Sequence, residues 1–264
     1  MKLGFIQAYN EANWVGYAID QAVRLCDRVL VVEGAQYVNF PDIPERSNDG
    51  TLDIISDKAH QYPNVLQVMN TTRAHNNYRI NQCRNLNYAL SLCKKGDYFI
   101  ILDADEFYTD ECISKMNSLM RENEIETIYI ENISFAFSFR WLLEFKKVSF
   151  VPIIIKKIDG FYFAPTSKRI NAGKRIATLK DFRRFHYMWV KPKARLLTRM
   201  RTSMQYKGMV SWFEDAWRNM RLEDGVICKS YHQNFTLHRY DGEHSRLLAN
   251  HPWRHVEDIR SLEK

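Results

Sequence analysis

Three acidic residues, Asp103, Asp105 and Glu106, fall within four positions where the apolar run "DYFIILDADEF" ends. Carboxylates this close repel and raise one another's pKa, so a positive partner is expected beside them. Asp103 and Asp105 lie two apart, and in extended backbone their side chains share a face. Such a pair suits one hard divalent cation, Mn2+ or Mg2+, with diphosphate oxygens completing the shell. A polar strand end solvated by water, with Asp105 or Glu106 capping a turn, fits the same residues. If like-charge repulsion dominates, replacing Asp105 by alanine leaves the metal-free protein no less stable. Glu11 in "YNEANW", Glu33 in "VVEG", Arg84 in "QCRNLNYAL" and His186 in "RFHYMWV" also carry groups able to bind or coordinate. An imidazole at 186 can ligate Mn2+ or meet a phosphate, although a lone His between aromatics also reads as core. Glu33 equally suits a salt bridge, Arg84 a solvated helix face, and Glu11 the first turn of a helix, where the dipole favours it.

These residues need a frame that brings them together. "KLGFIQAY", "DRVLVVEG", "NVLQVMN" and "DYFIILD" read as strands, short and nearly all apolar as in strands buried on both faces. Between and after them "EANWVGYAIDQAVRLC", "TLDIISDKAHQY", "NYRINQCRNLNYALSLCKKG" and "TDECISKMNSLMRENE" read as helices, the third ending at Gly96 and the last capped by Thr109 or Asp110. Strict β-α alternation predicts an open, mostly parallel sheet with helices on both faces. Ligands in such sheets bind beyond the carboxyl ends of the strands, where Glu11, Glu33 and Asp103 all fall. After residue 124 the pattern changes. "IETIYIENISFAFSF", "VSFVPIIIKKIDGFYFAP" and "FRRFHYMWV" read as strands without helices between them. "KPKARLLTRMRTSMQYKG" and "SWFEDAWRNMRL" then read as helices. The expectation is one domain over 1–264, with a first half at 1–124 and a smaller mixed β and helical second half at 125–264.

The 264 residues are 45% hydrophobic, enough for a sizeable core. Five cysteines, an odd number without C-x-x-C spacing, argue against a disulfide or zinc framework and for reduced thiols in a cytoplasmic protein. No run approaches the ~20 apolar residues of a membrane span, and Glu11 interrupts the opening run too early for a signal peptide. The +7 net charge gathers in arginines after residue 165, which leaves a peripheral membrane contact or a phosphate-bearing partner open.

Four segments in order carry a resemblance. "YNEANWVGYAIDQA", "DRVLVVEGA" with "SNDGT", "QCRNLNYAL" and "GDYFIILDADEF" resemble the opening strand and helix, the second strand with its D-G-T turn, the A-R-N helix and the D-x-D strand of family 2 glycosyltransferases of GT-A fold. The short bacterial type that builds lipopolysaccharide core is the nearest in kind. The resemblance covers roughly the first 110 residues. It implies a metal-dependent glycosyltransferase, a hexosyl- or related transferase, taking a nucleotide-sugar donor and a saccharide or lipid-linked acceptor. Tyr9, Glu11, Glu33, Arg84, Asp103 and Ala104 would then line the donor site. Asp103, Asp105 and His186 would hold Mn2+ or Mg2+. Two departures bear on base preference: the second strand ends in a single acid, and a loop of about sixteen residues separates it from "SNDGT".

An inverting transferase needs a carboxylate base for the acceptor proton. Glu214 and Asp215 in "SWFEDAW" resemble the E-D pair of other family 2 enzymes, and also read as an acidic turn on an amphipathic helix. Glu144 is another candidate, while "TSKR" at 166–169 lacks the acid that the lipopolysaccharide type carries. Arg195 and Arg199, in register with Lys191, are expected as a solvated basic stripe. His244 and Trp253 in the aromatic tail are expected near an acceptor sugar. Two rivals remain. A non-catalytic nucleic-acid binder would use the arginines but leaves "LDADE" unexplained, and no nucleic acid is expected as partner. A sugar-phosphate nucleotidylyltransferase would want a glycine-rich basic loop where "YNEANW" stands.

Overall fold

The computed structural model describes residues 1–36, 42–71, 75–145, 149–165, 174–202, 217, 219–229 and 234–263. The first half alternates as its periodicity predicts: β1 (Lys2–Ala8), α1 (Val15–Leu25), β2 (Arg28–Glu33), α2 (Thr51–Gln61), β3 (Leu66–Asn70), α3 (Tyr78–Ser91), β4 (Tyr98–Asp103), a two-residue β5 (Glu106–Phe107) and α4 (Asp110–Glu122). Local chemistry sets the helix starts. The Asn77 side chain accepts from the N–H groups of Arg79 and Ile80 at the head of α3. The Thr109 hydroxyl accepts from the Cys112 N–H at the head of α4. Both satisfy amides that a helix start leaves open.

β3, β2, β1 and β4 pair in that order and in parallel. Helices α1, α2 and α4 pack on one face, and α3 on the other. The order reverses at β1, with β2 on one side and β4 on the other. Connections leaving in opposite directions open a crevice at the carboxyl ends of β1 and β4. Glu11 follows one of those ends, and Asp103 closes the other.

The second half continues the same sheet with β6 (Thr127–Ala136), β7 (Trp141–Phe145), β8 (Ser149–Lys156), β9 (Ile176–Trp189), β10 (Ile227–Lys229) and β11 (Asn234–Arg239); α5 (Lys193–Thr202) follows β9. β8 bridges the halves, antiparallel to both β4 and β6. β9 runs parallel to β6 and antiparallel to β5. β7, β10 and β11 were not anticipated from the sequence, and β9 begins at Ile176 rather than Phe182. The helix expected over 211–222 falls largely outside the described residues.

Beneath the crevice lies an aromatic block. Trp14, at the head of α1, is 1% exposed. Its ring stacks on His251 (4.3 Å between centroids) and Tyr187 (4.9 Å). Phe135 stacks on Tyr187 in turn (5.2 Å), and the Tyr187 hydroxyl bonds His244 Nδ1 at 2.7 Å. Tail, β6, β9 and α1 are thus joined through large apolar surfaces, the main source of favourable free energy here.

Candidate functional site

The loop before α2 braces the turn after β1. Asn10 takes a left-handed φ of 52°. Its N–H donates to Ser47 Oγ (2.8 Å), and the Glu11 N–H to Thr51 Oγ1 (2.7 Å). The Ser47 N–H donates to Glu33 Oε1 (2.8 Å), while Arg46 pairs with the other oxygen of that carboxylate. Glu33 is therefore the anchor of this loop. Gly34 sits at φ 119°, where a Cβ would lie 3.0 Å from both the Glu45 carbonyl and a Thr71 methyl, so no other residue passes there without strain.

Two cavities open at the carboxyl edge. The smaller, about 160 Å3, is lined by Tyr9, Glu11, Gly34 to Gln36, Tyr78, Gln82, Asp103 to Asp105, Arg195 and Arg199, with Gln7 at its base. The larger, about 370 Å3, is lined by Asn10, Asn13, Asn48, Asp49, Trp14 and Trp253 together with Pro192, Ala194, Thr198 and Lys191. Glu11 and Arg195 belong to both walls.

The positive charge that the acidic cluster calls for comes from the protein. Asp105, 3% exposed, meets Lys191 Nζ at 2.8 Å, Arg199 Nη1 at 3.0 Å and His186 Nε2 at 3.5 Å. Glu11 receives Lys191 Nζ at 2.6 Å and Arg195 Nη2 at 2.7 Å. Glu106 faces Arg184 at 2.5 Å. Burial alone would raise the Asp105 carboxyl, but Lys191, His186 and Arg199 overcome it and hold its pKa well below the usual carboxylate range. Burial pulls the Lys191 ammonium down, against the opposing pull of Asp105 and Glu11. Removing Asp105 would strip buried Lys191 of one of its two carboxylates. The expectation that its loss costs no stability is thereby reversed.

The structure brings Tyr9, Glu11, Asp103, Ala104 and Asp105 to one cavity and puts His186 behind Asp105, its Nε2 buried without a hydrogen-bond partner. Glu33 does not line the cavity. Arg84 is on the exposed side of α3, which offers Tyr78 and Gln82 to the cavity instead. Glu144, on β7, pairs with His238 Nε2 at 2.9 Å and lines neither cavity. Glu214 and Asp215 lie outside the described residues. Trp253 does line the larger cavity, whereas His244 is enclosed by Tyr187, Phe135 and Tyr240. The expected solvated stripe is corrected. Lys191 has a side chain 1% exposed and Arg195 one 14% exposed, because buried Glu11 and Asp105 draw them in. Their four-residue spacing was visible in the sequence; their partners, some 90 and 180 positions away, were not.

Among the described residues no group of three or more His, Cys, Asp or Glu is arranged to hold a metal ion. Asp103 and Asp105 are nonetheless hard oxygen donors on the cavity wall, of the kind Mg2+ or Mn2+ takes. Asp105 Oδ2 already receives Lys191 and Arg199. Asp105 Oδ1 faces His186 Nε2 at 3.5 Å, so both oxygens of that carboxylate already meet a basic side chain.

The model of the family "Glycosyl transferase family 2" matches residues 5–140, a little over half of the chain and every strand end that builds the crevice. The chain belongs to glycosyl transferase family 2. It is a glycosyltransferase on a GT-A-type sheet, with the parallel β3-β2-β1-β4 core at its centre. Among solved structures, residues 1–349 of S. aureus TarS share 13% identity with this family 2 transferase, over 84% of this chain and 75% of that one, at a TM-score of 0.47. Mannose-6-phosphate isomerase from Helicobacter pylori shares 9%, over 60% and 61%, at 0.33. Neither likeness is close enough to bear on chemistry. No curated protein matches the sequence.

Proposed function

We propose that this family 2 transferase moves a hexosyl or related sugar from a nucleotide-sugar in the smaller cavity to a saccharide or lipid-linked acceptor in the larger one. The observation that carries this reading is the convergence of Tyr9, Glu11, Gly34 to Gln36 and Asp103 to Asp105 on one cavity at the β1/β4 crevice. Residues 1–124 act as the donor half and 125–264 as the acceptor half of one unit. The Tyr9 ring, fixed by its hydroxyl donating to the Pro44 carbonyl (2.7 Å), offers a flat face to a base. Asp103 and Asp105 are the residues that would hold Mn2+ or Mg2+, which when bound would neutralise the diphosphate of the donor. Lys191 and Arg199 keep Asp105 ionised and place fixed positive charge where the leaving nucleoside diphosphate gains negative charge. Asn10, Asn13, Asn48 and Trp253 supply amide and aromatic surface suited to a sugar in the larger cavity. The acceptor's proton acceptor is assigned to the Glu214–Asp215 pair on its pattern alone.

Among the described residues no helix is long and apolar enough to cross a membrane. The free thiols Cys26, Cys83, Cys93 and Cys112 support a cytoplasmic setting, and the net charge of +7 supports work near an anionic membrane surface. A thermal-shift panel of nucleotide-sugars, with Mn2+ and with chelator, tests the function. A donor at ~100 times its dissociation constant adds about 2.7 kcal/mol of stability. The shift should shrink when Mn2+ is removed. Absence of any shift across the panel would reject the donor site.

A further inference from the structure

We infer that the outer face of α3, with the turns that follow α3 and β8, is the surface by which this enzyme docks on an anionic lipid bilayer. The inference rests on the reading that the transferase works near such a membrane, and it names the face that meets the lipid. The two helical layers of the sheet differ in charge. On one side, α1, α2 and α4 carry six Asp and Glu against four Lys and Arg. On the other, α3 has Arg79 and Arg84 and no acid at all. The two turns beside it add Lys94, Lys95 and Lys157 against Asp97 and Asp159. An anionic surface therefore attracts the α3 side and repels the other.

Hydrogen bonds join these segments into one patch. The Asn87 side chain on α3 donates to the Phe163 carbonyl (2.8 Å) and accepts from the Phe163 N–H (2.7 Å). The Gly96 N–H donates to the Lys157 carbonyl (2.9 Å), and the Lys157 N–H to the Asp97 carbonyl (2.7 Å). Lys95 pairs with Asp159 across the same two turns (2.6 Å). Phe163 is buried with Leu86, Leu90 and Phe99, so the strip that ends there is held beside the helix. Its neighbour Tyr162 is 64% exposed, and Tyr88, the neighbour of Asn87, is 51% exposed. No other Phe, Tyr or Trp among the described residues is as open to solvent. Tyrosine rings set among lysines and arginines suit the headgroup layer, where the rings meet the acyl boundary and the cations meet lipid phosphates. The helix is about 21 Å long, and its head supplies Tyr78 and Gln82 to the smaller cavity. Docking along it keeps the carboxyl edge of the sheet beside the headgroups, where a lipid-linked acceptor lies.

The test is cosedimentation of the full chain with vesicles of phosphatidylcholine alone and of phosphatidylcholine with phosphatidylglycerol. The wild type is expected to bind only the second, and less tightly as salt rises. Arg84→Glu with Lys94→Glu is expected to weaken that binding about 10- to 100-fold. Tyr88→Ala with Tyr162→Ala leaves the charge alone and is expected to weaken it about 10-fold; this pair also carries the comparison if the charge pair does not fold. Lys115→Glu with Arg121→Glu, at exposed positions of α4, makes the same change in net charge on the opposite side and is expected to bind as the wild type does. Equal losses from the α3 and α4 charge pairs overturn the inference, because net charge alone then accounts for binding. So does full binding by the α3 charge pair, which puts the membrane surface elsewhere. A wild type that ignores anionic vesicles defeats the membrane reading first, and this inference with it. If it instead captures a single-stranded oligonucleotide, the basic face serves nucleic acid and not lipid.

Discussion

The charged edge of the sheet and the aromatic block beneath it are both assembled from the two halves of the chain, but they are finished differently. At the edge, Glu11 and Asp105 are buried with Lys191, Arg195 and Arg199, and donor groups of Arg195 are left over. In the block, His251 uses both ring nitrogens: Trp253 N–H donates to Nδ1 (3.1 Å), and Nε2–H donates to the Asn13 carbonyl (2.9 Å). Tyr187 and His244 satisfy each other, and the Trp14 indole Nε1 is buried without a partner. Buried ion pairs contribute little net stability, because desolvation opposes their attraction. Stacked aromatic rings contribute a great deal. The block thus offsets the cost of keeping the edge charged and incompletely bonded.

If that division holds, the largest loss of stability should come from the block. Trp14→Ala should cost about 3–5 kcal/mol, the range for emptying a large aromatic site, read as a lower denaturant midpoint. A cost under about 1 kcal/mol would mean the block is not the support it looks to be. At the edge, Asp105→Ala should cost about 3 kcal/mol, at the low end for breaking a buried pair because Glu11 still faces Lys191. Adding Lys191→Met should recover part of that loss, so that the double variant is less damaged than the sum of the singles. Additivity would show that the pair is not coupled.

The two regions should also part company in acid. Burial lowers the His251 pKa from 6.5 to about 4. The unfolded chain then binds a proton that the folded chain refuses, so stability is full above pH 6.5 and is lost as pH falls toward 4. His251 alone should remove about 2 kcal/mol between pH 7.5 and pH 5. Burial takes His244 lower still, to about 3, and extends the loss in the same direction. In urea titrations at several pH values, His251→Gln should show a shallower acid slope than the wild type; parallel slopes would refute the assignment. The smallest effect is expected at Arg84. Exposed on α3 and away from both cavities, its replacement by alanine should change stability by less than about 0.5 kcal/mol and leave nucleoside diphosphate affinity unaltered.

Much of the first half could be read from the chain because its order is local. "RVLVVE" and "YFIILD" are apolar throughout since each strand is covered on both faces, and Asn77 and Thr109 announce their helices within three residues. The acids at the strand ends pointed to the crevice for the same reason. The second half resisted. "WLLEF" of β7 is too short for a period to separate strand from helix, and it pairs with β6 and β11 only through long-range contacts. Glu33 read as a cavity acid because its place at the end of β2 is a ligand position. What turned it away was Arg46 and Ser47, in a loop that periodicity does not describe. The basic residues of α5 read as solvated because a helix face shows its spacing but not what it lands on.

β9 carries His186 and runs directly into the segment holding Lys191, and along the way it is laddered to β6 and, at Phe185 and His186, to β5. Among the described residues, those ladders hold the end of β9, and with it Lys191, in fixed register with Asp105 on the neighbouring wall. Access to the smaller cavity is then set by the swing of individual side chains, Arg199 above all, the most exposed of the three cations at 37%. Rotamer changes at exposed positions take picoseconds to nanoseconds, whereas hinge motions take microseconds to milliseconds. An enzyme built this way has a mouth that flickers rather than a jaw that opens.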